Sequence, residues 1–225
     1  MKTLRILVKF PTRERPEQFL KVLKLLNEKA TDKHNINYLI TLDSNDHSMT
    51  QLVKDAALNI NNVTIVVGKS DSKIHACNRD MEVNTGWDVV SLISDDMVPQ
   101  VDGWDEVIRQ AMTKYFPDTD GCLWFNDGYQ PRICTLVIMG KVYYDNLGYI
   151  YHPDYHSLFC DNEFTEVAQG LDKMQYFDTV LFKHEHFANN PRVKRDALYD
   201  RNEALFNIDK ETYERRKAQG FPNEQ

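Results

Sequence analysis

Four short apolar runs, each ending at a polar cluster and separated by helix-patterned stretches, constrain this chain more than any other feature. Leu4 to Lys9 (LRILVK), Asn37 to Leu42 (NYLITL), Val63 to Val67 (VTIVV) and Val89 to Ser94 read as strands. Between them, PEQFLKVLKLLNEKA opens on Pro16 and places Phe19, Leu20, Leu23 and Leu26 at helical spacing; MTQLVKDAALN and SKIHACNRDMEVN continue the alternation. Strand–helix–strand repeats of this kind demand right-handed crossovers, so the fold class predicted is α/β, a single domain with a mainly parallel central sheet flanked by helices. Ligands of such sheets bind beyond the carboxyl ends of the strands. The clusters PTRER, LDSND, GKSDSK and SDDM each follow a strand end, so all four are expected on one rim.

The second half is less regular. Gly121 to Phe125 (GCLWF) and Ile133 to Met139 (ICTLVIM) read as two strands joined by a hairpin-type connection at Asn126-Asp127-Gly128. An aromatic segment, Tyr143 to Phe159, precedes a helix over DNEFTEVAQG that ends at Gly170, and YFDTVLFKHEHF reads as one further strand. The tail RDALYDRNEALFNIDKETYERRKAQ is charged and helical in pattern, with no linker before it. The expected division is a domain over 1–190 and a helical extension over 191–225 packed on it.

A formal net charge of −7 argues against a general nucleic-acid binder, which carries a basic face. No apolar stretch approaches the roughly 20 residues of a membrane helix. The start, MKTLRILVKFPTR, turns charged too soon for a secretory signal, so a cytoplasmic location is expected. Cys77, Cys122, Cys134 and Cys160 form no CxxC pair and read as small buried residues.

Chemistry concentrates at SLISDDMVPQ, where a buried strand stops at two adjacent carboxylates, Asp95 and Asp96, each raising the cost of ionising the other. A polar turn accounts for one such pair. His184 and His186, alternating in FKHEHF on one strand face, add imidazoles, and carboxylate with imidazole is a ligand set for manganese or magnesium. Asp161, heading the helix DNEFTEVAQG, reads either as a cap or as a general base. Arg13, Arg15, Lys69, Lys73 and Arg79 lie near the same rim and suit a phosphorylated ligand, with Arg15 and Lys69 read as solvated surface charge. There is no GxxxxGK[ST] loop and no GxGxxG turn.

The order of these motifs over residues 4 to 187 resembles inverting nucleotide-sugar glycosyltransferases of the GT-A fold, the family 2 type. The resemblance implies that Pro11, Thr12 and Arg13 pack near the nucleotide, that Asp43 binds base or ribose, and that Lys73, Asn78, Arg79 and Asp95 complete the donor site. It implies Asp96 as metal ligand with His184 or His186, a Mn2+ or Mg2+ cofactor, and Asp161 as catalytic base. Ala76-Cys77-Asn78-Arg79 departs from the family's Ala-Arg-Asn run, and Ser94 stands at the first acidic position of its DxD signature. The partners implied are a nucleoside-diphosphate sugar, UDP- or GDP-linked, and a glycan or other hydroxyl acceptor, for which the aromatic segment and Trp124 would form a pocket. A nucleotidyltransferase, a metal-dependent phosphohydrolase and a non-catalytic nucleotide-sugar-binding module are the competing readings; the first normally needs a glycine-rich phosphate loop, absent from KFPTRERPEQ.

Overall fold

The structure is a computed structural model describing residues 3–186 and 195–222. Residue 187 of the expected last strand, and 187–194 and 223–225 around the expected extension, lie outside the described residues. The first half follows the alternation: β1 (Ile6–Thr12), α1 (Pro16–Lys29), β2 (Ile36–Asp43), α2 (Gln51–Leu58), β3 (Val63–Gly68), α3 (Lys73–Asn78) and β4 (Val89–Leu92). Then come β5 (Met97–Pro99), α4 (Trp104–Tyr115), β6 (Cys122–Phe125), β7 (Ile138–Gly140), α5 (Lys141–Leu147), α6 (Cys160–Gly170), β8 (Met174–Phe177), β9 (Phe182–His184), α7 (Ala197–Glu203) and α8 (Phe206–Ala218).

The main sheet has the order β3-β2-β1-β4-β7-β6-β8, and only β7 runs against the others. Period-two alternation in β1 explains its two covered faces. Ile6, Val8 and Phe10 join one core with Phe19, Val22, Leu23 and Leu26 of α1 and Trp104, Ile108 and Met112 of α4. Leu7 faces the other core, with Ile74 of α3, Tyr143 of α5 and Phe164 and Ala168 of α6. Each fully buried side chain of this size contributes about 1.5–3 kcal/mol, so α1 alone anchors its strand crossover through four of them.

The second half corrects three expectations. The run 133–139 pairs only from Ile138, and its link to β6 is a long loop rather than a tight turn, because Asp127 accepts from the backbone of Tyr129 and Gln130 and folds that loop on itself. The expected last strand divides at 178–181: β8 extends the main sheet beside β6, whereas β9 pairs antiparallel with β5 in a separate two-stranded ribbon. The helix α4 is an addition, although Trp104, Ile108, Ala111 and Met112 carry helical spacing.

Candidate active site

Six strands of the main sheet end on one side, and the polar clusters gather there. β4 stops where Ile93 donates its N–H to the Lys9 carbonyl; Met97 N–H then closes a turn onto Ser94, sending β5 away from the sheet. Both carboxylates sit in that turn. The β5–β9 register sets Met97 opposite His184, and Glu185 N–H donates to the Asp96 carbonyl, so the ribbon carries His184 to the side of Asp96.

The two adjacent aspartates point different ways. Asp95 turns inward, 7% exposed, and accepts from Thr12 Oγ1 at 2.8 Å and Arg15 Nη1 at 3.0 Å. Burial and the neighbouring Asp96 raise its pKa, against the pull of Arg15 and Thr12. Asp96 turns to the rim: Oδ1 accepts from Ser94 Oγ, while Oδ2 lies 3.6 Å from His184 Nε2, 3.3 Å from Tyr199 Oη and 3.8 Å from Arg15 Nη1. Desolvation opposes ionisation of Asp96, but His184, Ser94 and Arg15 hold its carboxyl well below the usual range. Desolvation likewise opposes the His184 imidazolium, which Asp96 stabilises. His186 packs its ring 5.4 Å from that of His184, and burial together with the charge of His184 lowers it to about 4.

Around this pair stand Lys73 at the start of α3 and Asp161 in the first turn of α6. Lys73 is exposed and makes no hydrogen bond or ion pair among the described residues; the nearby carboxylates of Asp96 and Asp161 hold its ammonium above the ordinary value. Desolvation raises Asp161, against Lys73, the N–H of Asn162 and His184. Asp161 does not cap α6: the cap position is Phe159, in the left-handed region at φ 62°. Its ring meets Phe206 of α8 edge-on and Tyr213 of α8 at a tilt, so α8 packs against the turn that presents Asp161.

At the other end of the rim, Asp43 closes β2. Its Oδ2 accepts from Arg13 Nη1 at 2.6 Å, and its buried Oδ1 has no hydrogen-bond partner among the described residues. Pro11 stays within β1, paired in register with Thr41. Asn78 and Arg79 are engaged with protein partners. The Asn78 amide ties the backbone of 150–151 to α3, and the Arg79 guanidinium donates to Ser70, Asp80 and the Leu42 carbonyl. Buried Lys9 donates to the Arg79 carbonyl.

Three residues escape the sequence reading. Arg15, expected in solvent, is 8% exposed and joins Asp95 to Asp196, with its guanidinium 4.1 Å from the Tyr199 ring. Asp196 and Tyr199 come from the charged tail, where nothing in the pattern sets them apart. A cavity of about 590 Å3 lies between α5, α6 and Phe221, but none of Asp43, Asp96 and His184 lines it, so the chemistry is placed at the rim.

No group of three or more His, Cys, Asp and Glu side chains among the described residues is arranged to hold a metal. The pair Asp96–His184 nevertheless fits one small cation: ligands about 2.1 Å from a shared ion can stand 3.6 Å apart, which is the separation of Asp96 Oδ2 and His184 Nε2. Such a two-residue site is complete only with ligand oxygens.

No protein-family model matches the chain, and no curated protein sequence does. Solved structures do match in fold. The mannosyltransferase PcManGT from Pyrobaculum calidifontis, in complex with GDP-Man and Mn2+, superposes with a TM-score of 0.65 at 14% identity, over 91% of this chain and 70% of that one. S. aureus TarS 1–349 in complex with UDP-GlcNAc gives 0.63 at 13% identity, over 86% of this chain and 60% of that one. The chain therefore shares its fold with these two transferase structures, and it spans 60% of the TarS fragment's length. No helix among the described residues is long and apolar enough to cross a membrane.

Proposed function

We propose that the protein is an inverting glycosyltransferase that moves a sugar from a nucleoside-diphosphate sugar to an acceptor hydroxyl with the help of Mn2+ or Mg2+. One observation carries the proposal: on the carboxyl rim, Asp96 Oδ2 lies 3.6 Å from His184 Nε2, and beside this carboxylate–imidazole pair stand Lys73, with no hydrogen bond or ion pair among the described residues, and the partly buried Asp161 carboxylate. The fold shared with GDP-Man- and UDP-GlcNAc-bound transferases supports the same reading.

In this reading Asp43 and Arg13, with Pro11 and Thr12 behind them, receive the nucleoside, and the free Asp43 Oδ1 accepts from base or ribose. Asp96 and His184 would hold the cation, whose positive charge would offset the negative charge of the departing diphosphate. Lys73 sits where the diphosphate would cross the rim. Asn78, Arg79 and Asp95 keep that surface in shape. Asp161 takes the proton of the acceptor hydroxyl as its oxygen bonds to the anomeric carbon; the carbon–oxygen bond to the diphosphate breaks with its electron pair, and the configuration inverts. His186 remains neutral beside His184.

The test is release of nucleoside diphosphate from UDP- and GDP-sugars across a panel of sugar acceptors with Mn2+. The reading expects acceptor-stimulated release that Asp161→Asn abolishes. Release from the variant at the wild-type rate would remove Asp161 from the chemistry.

A further inference from the structure

The Asp96 carboxylate has one oxygen, Oδ2, toward which three side chains converge, and one of the three arrives from a segment that the rim chemistry above does not use. Tyr199 of α7 places its hydroxyl 3.3 Å from Oδ2. Its ring lies 4.1 Å from the Arg15 guanidinium carbon and edge-on to His186 at 4.6 Å, and the residue is 6% exposed. The helix that carries it is fixed at both sides. Asp196 caps α7 through the N–H of Tyr199 and takes both Arg15 Nε at 2.8 Å and Arg15 Nη2 at 3.0 Å. Glu14 accepts from Arg201. Arg15 in turn spans Asp95, Asp96 and Asp196, so α7 is joined to the acidic turn by a two-sided guanidinium bridge.

A free aspartate rotates about its side-chain bonds and offers either oxygen to a cation. Here Ser94 Oγ takes Oδ1 and the Tyr199 hydroxyl takes one lone pair of Oδ2, which leaves the other lone pair of Oδ2 on the side of His184 Nε2. Groups that orient a metal-binding carboxylate in this way typically affect metal affinity by 10- to 100-fold.

Resting on the donor-site reading above, we infer that Tyr199 is a positioning residue for divalent-cation binding, holding Asp96 Oδ2 toward His184, so that the C-terminal segment completes the metal end of the site. The phenol ring and the hydroxyl do separate jobs. The ring covers Arg15 and His186, while the hydroxyl fixes the carboxylate.

Tyr199→Phe separates them, because it keeps the ring and removes one oxygen. Mn2+ is titrated calorimetrically into wild type and variant, each saturated with UDP or with GDP, and the nucleotides are also titrated alone; thermal melting is read in parallel. The inference expects the variant to bind Mn2+ about 10-fold more weakly, with metal-free nucleotide affinity unchanged and a melting temperature within about 2 °C of wild type. Tyr213→Phe, which removes a hydroxyl that meets Glu166 on α6, is the control and is expected to leave Mn2+ affinity as in wild type. Equal Mn2+ affinity in wild type and Tyr199→Phe, tighter binding in that variant, or an equal loss in Tyr213→Phe overturns the inference while leaving the donor site in place. A wild type that binds neither nucleotide better with Mn2+ overturns the donor-site reading, and the inference with it.

Discussion

Asp161 is the residue at which environment and chemistry are most tightly linked. A partly buried carboxylate is a stronger base than one in solvent, and the same desolvation costs folding energy. The folded pKa lies above the unfolded one, so the unfavourable contribution to stability is absent at low pH and is present in full above the folded pKa. Asp161→Asn is therefore expected to lose turnover by at least about 100-fold while its melting temperature at pH 7 stays level or rises; a clear fall in melting temperature would make the residue a structural one. The same sign governs rate: wild-type turnover should fall as pH drops toward the raised pKa, in a window above the ordinary carboxylate value near 3.8, and Asp161→Glu should keep part of the activity. Asp96 and Asp161 were legible in the sequence because carboxylates at strand and helix ends stand out there. Arg15 was not, because an arginine before Pro16 looks the same whether its guanidinium meets water or, as here, Asp95 and Asp196.

Between the elements, buried charges hold the framework together. The helix α4 starts against the rest of the domain through Asp105, fully buried, which accepts from the N–H groups of Thr31 and Asp32 and pairs with Arg109. Against desolvation, these contacts hold its carboxyl below the ordinary value, so its contribution is present above the unfolded pKa and is lost as pH falls through the lower folded one. Asp105→Ala would leave Arg109 buried and two N–H groups unpaired, an expected loss of about 3–5 kcal/mol, read by urea unfolding; a loss under about 1 kcal/mol would mean water replaces the carboxylate. The strands β1, β2 and β4 were legible because each is an apolar run with nearly every residue buried, and β3, a half-exposed edge strand, because Val63, Ile65, Val66 and Val67 are β-branched. The ribbon β5–β9 was not: β5 is three residues long, contains Pro99, and exists only through pairing with a strand more than 80 residues later. Local pattern carries no signal for such a partner, and so the proximity of His184 to Asp96 was an expectation from motif order rather than from periodicity.

On the scale of the whole molecule, the C-terminal segment belongs to the site's architecture. Arg216 of α8 is 1% exposed and forms a forked pair with Glu163 of α6, two residues after Asp161. Asp209, fully buried, accepts from the N–H groups of His156, Ser157 and Leu158 just before α6. Arg216→Ala would strand the Glu163 carboxylate, and a destabilisation of about 3–5 kcal/mol is expected in chemical unfolding, with α6 loosened; an unchanged midpoint would show that α8 is dispensable to the domain. Composition announced a helical tail, but not that its buried charges reach back to α6 and its Tyr199 to Asp96. The central claim, a cation-assisted nucleotide-sugar site on the carboxyl rim, is tested most directly by calorimetric titration of UDP and GDP into wild type and Asp96→Ala, with and without Mn2+. The account predicts that one of the two binds wild type at least about 10-fold more tightly with Mn2+, and that folded Asp96→Ala loses that gain. Binding indifferent to Mn2+ in both proteins, or no binding of either nucleotide, would contradict it.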